Sequence, residues 1–282
     1  MLGNAYTSVI NGIDAVSVKV EADISAGFPC FDITGNLGVA VRESRERVRM
    51  AIKNSGIRMA PARMVVNISP ADLRKEGTHY DLAVAVAVLQ AAGIIRQNLC
   101  ENIMFIGELG LNGELRPVRG VLPMVINWCK GGRQMVVLPR ENAMEASYVK
   151  EAKIIPASTL NEVIECIKGN FTEVPFENAK PSQSTEYEMD FADIHGQLSL
   201  KRAIMVAAAS MHNMLMIGPP GAGKTMAAER IPAILPPMTY EQQLELSGIY
   251  SVAGMLKDGV SFVDKRCFRA PHHCITPQAM AG

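Results

Sequence analysis

At roughly 100 to 200 residues per domain, a chain of 282 residues is long enough for two domains. Its 48% hydrophobic and 20% charged residues exclude a disordered or low-complexity chain. Twenty-eight basic residues balance 28 acidic ones, so no global charge drives it toward nucleic acid or an anionic membrane, and any such binding has to come from a local patch.

The six cysteines are scattered, with no CxxC pair, and the N-terminus lacks a basic stretch followed by a long apolar one. Reduced thiols, no secretory leader and a cytoplasmic location are therefore expected. The longest apolar run, Leu82 to Ile95, is interrupted by Gln90. It is shorter than the about 20 residues that span a bilayer, so no membrane association is expected.

In chain order, residues 4–20 alternate apolar and polar positions around Asn11-Gly12, which predicts a β-hairpin. A third strand is expected at Cys30 to Thr34. Val41, Val48 and Ile52 then fit one face of a helix closed by Gly56. On that helix Arg42, Arg45, Arg49 and Lys53 share a face through spacings of three and four. Such a stripe is able to contact phosphates, but Glu43 and Glu46 interleave with it, as they do on an ordinary solvated face.

The β-branched run at 63–69 reads as a strand. The stretch KEGTHYDLAVAVAVLQAAG alternates like a strand, yet its length and small side chains suit a buried helix, which is the reading adopted. Further strands are expected at 103–109, at QMVVLP and at KIIPAS, with a turn at Asn112-Gly113 and helices between and after them. Strands alternating with helices make the first domain, 1–170, α/β. Residues 171–188 are enriched in Pro, Ser, Thr and Glu and read as a linker to a second domain, 189–282.

That second domain contains GPPGAGKT at 218–225, which fits the phosphate-loop pattern G-x-x-x-x-G-K-[ST]. The loop comprises Gly218, Pro219, Pro220, Gly221, Ala222, Gly223, Lys224 and Thr225, with Met226 in the helix expected to follow. The apolar run Met214 to Ile217 before it is expected to be a buried strand. Glycines let backbone N–H groups turn toward phosphate oxygens, and the helix end adds a positive dipole. Lys224 is expected to reach the β- and γ-phosphates of ATP, and Thr225 to offer its hydroxyl to Mg²⁺.

The sequence around this loop, FADIHGQLSLKRAIMVAAASMHNMLMIGPPGAGKTMAAERIPAILPPM, together with SGIYSVAGML and FRAPHH, resembles the magnesium-chelatase-like AAA+ ATPases of the ComM/YifB group. The resemblance runs almost continuously from 191 to 273. It implies that Ile194 and Gln197 wrap the adenine. It also implies that Arg269, His272 and His273 face substrate or a neighbouring subunit, in a hexameric ring that drives branch migration on DNA. Read without the family, the 194–197 segment is an ordinary loop and helix cap. Cys267, His272, His273 and Cys274 are of zinc-ligating type, but adjacent residues seldom aim at one metal, so free thiols and imidazoles are expected there.

The stretches RKEGTHYDLAVAVAVLQAAG and FIGELGLNGELRPVRGVLPMV make the first domain similar to the Lon-protease-like domain that precedes the ATPase module in this group. That resemblance implies an α/β fold of the ribosomal protein S5 domain 2-like kind, followed by the first part of a P-loop AAA+ α/β domain. Active Lon-type domains use a serine activated by a lysine. Here the serine position holds His79 and the lysine position falls near Leu122, so protease chemistry is not expected.

A Walker B strand ending in acidic residues and an arginine finger are not visible. SFVDK at 261–265 is too short and lacks the second carboxylate. The chain therefore reads as an amino-terminal part of a motor, with ATP turnover by itself expected at background. The alternatives are a chelatase-type or protein-remodelling ATPase, and a non-enzymatic remnant.

Overall fold

The computed structural model describes residues 2–169, 187, 189–256, 262–272, 274–276 and 278. Contacts divide the chain into two units, Met1–Lys180 with Glu245–Phe262, and Pro181–Leu244 with Val263–Gly282. Residues 245–262, counted by sequence in the second domain, thus pack with the first.

The first unit is built on β1 (Leu2–Asn11), β2 (Asp14–Ser25), β3 (Cys30–Thr34), β4 (Arg63–Ser69), β5 (Ile103–Phe105), β8 (Met135–Pro139) and β9 (Lys153–Ala157). These form a seven-stranded mixed sheet in the order β3-β4-β2-β1-β5-β8-β9. The β1/β2 hairpin pairs from Leu2↔Asp23 to Asn11↔Asp14. Its two-residue turn is Gly12-Ile13, one position later than the Asn-Gly signal suggested, with Gly12 at φ 65°. The expected strand at 103–109 is split: Gly107 turns away, donating to His79 O and accepting from Leu82 N. The hairpin of β6 (Glu108–Leu109) and β7 (Leu115–Arg116) follows.

Helices α1 (Val39–Asn54), α2 (Asp81–Ala91), α3 (Val121–Lys130), α4 (Ala143–Ala146) and α5 (Leu160–Ile167) accompany the sheet. α2 is helical despite its Ala/Val alternation, and all of its residues are buried. A helix enclosed on every side has no polar face to mark its period, so the alternation was accidental. Gly3 on β1 lets α2 lie against the strand: a Cβ at Gly3 would sit 2.0 Å from Ala87 O.

The second unit carries α6 (Leu198–Ala209), α7 (Lys224–Glu229) and α8 (Ile231–Ile234), while α9 (Tyr240–Val252) straddles the boundary. The strand expected at Met214 to Ile217 is not formed. The segment is extended, with Leu215 and Ile217 82% and 88% exposed while Met214 and Met216 pack on a small cluster. The inward–outward alternation is that of a strand, but no described strand lies within residues 181–282 to hydrogen-bond with it. The linker expected at 171–188 lies outside the described residues apart from Tyr187.

Candidate nucleotide site

The loop at 218–225 runs from the extended 214–217 segment into α7, which begins at Lys224 as expected. Gly221 and Gly223 take φ of 80° and 81°, and a Cβ at either would meet nothing within 4 Å. Glycine is therefore required at these turns by backbone conformation rather than by crowding. Lys224 Nζ donates to Gly218 O at 2.8 Å and to Pro219 O at 2.7 Å, so the ammonium is held inside the curve of its own loop. Gly218, Pro219, Pro220 and Thr225 are exposed, and Met226 is 39% exposed.

Gln197, at φ 52° ahead of α6, donates through Nε2 to Ala222 O at 3.4 Å. Ile194 is 2% exposed and packs with Phe191, Ile204 and Ala227, the last on α7. Asp193 accepts from Arg230 Nε at 3.2 Å, and Arg230 Nη1 donates to Met226 O at 3.0 Å. The 190–197 segment is thus fastened to the helix that the phosphate loop opens into. Gln197 reaches the loop surface, while Ile194 is part of the packing beneath it.

These residues suit the phosphates of a nucleoside triphosphate: a fixed cation lies inside an exposed, glycine-turned loop with a hydroxyl next to it. Among the described residues no group of three or more His, Cys, Asp or Glu side chains is placed to hold a metal. Arg269 and His272 are exposed, with His272 Nδ1 accepting from Cys274 N at 3.3 Å. His273 lies outside the described residues. None of the six cysteines is joined in a disulfide.

His79 and Leu122, which the Lon resemblance sets at or near the serine and lysine positions, are both buried. His79 is 6% exposed, and its Nε2 donates to Ser8 O at 2.8 Å. Burial pushes its pKa down from 6.5 to about 4, against a smaller upward effect of that hydrogen bond. Leu122 is fully buried and donates its backbone N–H to Glu145 Oε1 at 3.0 Å. A neutral buried imidazole and a buried alkyl chain supply neither a hydroxyl nucleophile nor an amine base.

His79 thus takes up its proton more readily in the unfolded chain than in the folded one. The folded state therefore loses stability as pH falls from about 6.5 to about 4 and recovers it above 6.5. At about 1.4 kcal/mol per pKa unit the loss approaches roughly 3 kcal/mol at the acid end. Urea unfolding of the chain and of His79→Gln at several pH values tests this. The substituted chain is expected to show a shallower decline, and an equal decline in both would remove His79 as its source.

Two buried carboxylates escaped sequence reasoning. Asp81 is fully buried at the start of α2 and is held by a guanidinium fork, Arg47 Nε to Oδ2 at 2.8 Å and Nη2 to Oδ1 at 3.1 Å. Glu145, 9% exposed, accepts from Leu122 N, Asn142 Nδ2 and the Ser251 hydroxyl. Burial raises the pKa of both above the ordinary carboxylate value. The one available signal was an acidic residue opening an apolar run at Asp81.

Two family models match the chain. One, described as subunit ChlI of Mg-chelatase, covers residues 20–142; the other, described as magnesium chelatase, subunit ChlI, covers 190–282. Over its whole length the chain is 36% identical to competence protein ComM of Haemophilus influenzae and 35% identical to YifB of Escherichia coli, covering 56% and 55% of those proteins. A Lon protease of Trichlorobacter lovleyi is 23% identical over 192 residues, which is 62% of this chain and 23% of that one. The family models and the relatives define an AAA+ type protein, with a Lon-like α/β domain ahead of its phosphate loop. The chain belongs to the magnesium-chelatase-like family, in the group of ComM and YifB. It spans about half the length of the curated relatives it matches. Among the described residues no helix is long and apolar enough to cross a membrane.

Proposed function

We propose that this chain is the nucleotide-binding portion of an ATP-driven motor that remodels branched DNA, working as a self-associated ring, with the Lon-like domain serving assembly or DNA engagement. The observation that carries the nucleotide part is the phosphate loop. Lys224 is lodged inside it and Gln197 is bonded to it from the preceding segment. When bound, Mg-ATP supplies the phosphoryl-transfer chemistry. Lys224, now held by two loop carbonyls, would neutralise phosphate charge, and Thr225 would offer its hydroxyl to magnesium. The DNA and ring parts rest on the likeness to ComM, a competence protein.

The test is titration of the chain with a fluorescent ATP analogue and Mg²⁺ beside Lys224→Ala. A charge-assisted hydrogen bond is worth about 1.5–3 kcal/mol, so the substitution should weaken binding roughly ten- to a hundredfold. Unchanged binding would put the nucleotide elsewhere. Stimulation of ATP turnover by a four-way DNA junction, measured on the chain extended to the length of its relatives, tests the DNA part. The chelatase names of both family models favour a second reading, a motor acting on a metal-insertion partner. Stimulation by a tetrapyrrole or protein, and not by DNA, would decide for it.

A further inference from the structure

In the first unit a cleft of about 1020 Å³ opens between α1, the start of β3 and the chain from Gly56 to Met64. Its floor is apolar: Ile52 and Val88 are buried at the base, with Met50, Ile57, Met59 and Met64 half-buried above them. Its rim is cationic, with Arg45, Arg49, Lys53 and Arg58 set against Asp32 and Glu46. Arg45 and Arg49 both engage Glu46, at 3.5 and 3.1 Å. Lys53 and Arg58 are exposed and make no ion pair among the described residues, so the rim holds surplus positive charge.

The third feature is the sheet edge. β3 is the terminal strand, and among the described residues no strand pairs with its outer side. Its residues Cys30, Phe31 and Asp32 wall the cleft. An unpaired edge offers main-chain donors and acceptors to an added strand. An added strand points alternate side chains to opposite faces, one set toward an apolar floor and the other toward the rim. Thioether side chains adapt to varied apolar shapes, which suits the three methionines to such a partner.

We propose that this cleft docks an extended peptide segment bearing alternate apolar and acidic side chains, added along the edge of β3. A nucleic-acid strand fits less well. The lining has one aromatic ring, Phe31, and it is only 7% exposed, so bases find no stacking surface. The site is separate from the Lon-like serine position, because Val88 lies roughly 10 Å along α2 from its first residue, Asp81, at about 1.5 Å rise per residue, and His79 precedes that residue. It is also independent of the nucleotide reading.

The test is fluorescence anisotropy of a labelled eight-residue peptide alternating valine and glutamate, titrated with the full chain at low salt. The controls are a valine–lysine peptide, a valine–glutamate peptide N-methylated at alternate amides, and an eight-nucleotide oligothymidylate. Saturable binding of the first peptide is expected, with each control at least tenfold weaker. Lys53→Glu combined with Arg58→Glu changes only exposed side chains and should weaken binding at least tenfold with an unchanged circular dichroism spectrum, while Lys224→Ala should leave it unaltered. Absence of peptide binding, equal binding of the lysine peptide or the N-methylated peptide, indifference to the charge reversal, or preference for the oligonucleotide would each overturn the proposal.

Discussion

Replacing Arg47 by alanine is expected to destabilise the first unit by about 3–5 kcal/mol, a large share of a typical domain's stability. Asp81 is fully buried, and its two oxygens accept Arg47 Nε, Arg47 Nη2 and the Leu109 N–H. Arg47 also donates to Ala40 O, so the guanidinium ties α1 to the start of α2. Without it a carboxylate is left in a low-dielectric site with one backbone donor, which costs more than the pair itself contributes. Burial already holds the Asp81 carboxyl above its usual pKa, and loss of Arg47 raises it further. A raised carboxyl pKa penalises the folded state above the unfolded value, so the deficit of Arg47→Ala relative to the unaltered chain should shrink from pH 8 to pH 5. Trp128, the single tryptophan, is 1% exposed in this unit, and its fluorescence under urea reports the transition directly. A deficit below about 1 kcal/mol, the range of exposed ion pairs, would mean that Asp81 is hydrated or protonated in the folded chain.

The second large effect is expected at Gly3. Its Cβ would lie 2.0 Å from Ala87 O and 2.7 Å from Ala91 N, both backbone atoms of α2. No rotamer change relieves such contacts, so Gly3→Ala has to push the helix off the sheet. The facing residues Ala5, Thr7 and Val9 of β1, all buried on the same side, would lose packing together. Overpacking of this kind costs about 3 kcal/mol or more when backbone must move. The same tryptophan signal measures it, and a loss under 1 kcal/mol would show that β1 shifts freely at its first residues. Gly12→Ala, with no atom within 4 Å of the added Cβ, is the comparison: it carries only the strain of a positive φ at an exposed turn.

These two positions also mark where sequence reading stopped. The β1/β2 hairpin, α1 and β4 were legible because alternation and helical period register which face is buried. α2 was legible only through its length and small side chains, because a helix buried all round erases its own period. The phosphate loop was legible because its constraint is local: two glycines at positive φ and a lysine that folds back on six residues of chain. The Arg47–Asp81 pair was not, since Arg47 sits among Arg45, Glu46 and Arg49 on a charge-rich helix and only the fold turns it inward. Met214 to Ile217 had the pattern of a strand, but a strand is defined by its neighbours, and pattern supplies none.

The first unit is interrupted in sequence, since Glu245–Phe262 returns to it after the chain has passed through the second. Ser251 of that returning stretch donates to buried Glu145 and accepts from the Gly120 N–H, while Phe262 stacks on Tyr148 at 4.2 Å. Dissecting the chain at its compositional boundary near residue 170 would therefore not release an intact module. The fragment would keep Glu145 and lose its hydroxyl donor, exposing a surface meant to be covered and inviting aggregation that has nothing to do with its function. A permuted gene that fuses 245–262 to the end of the 1–169 segment would be the economical way to obtain the Lon-like domain in isolation.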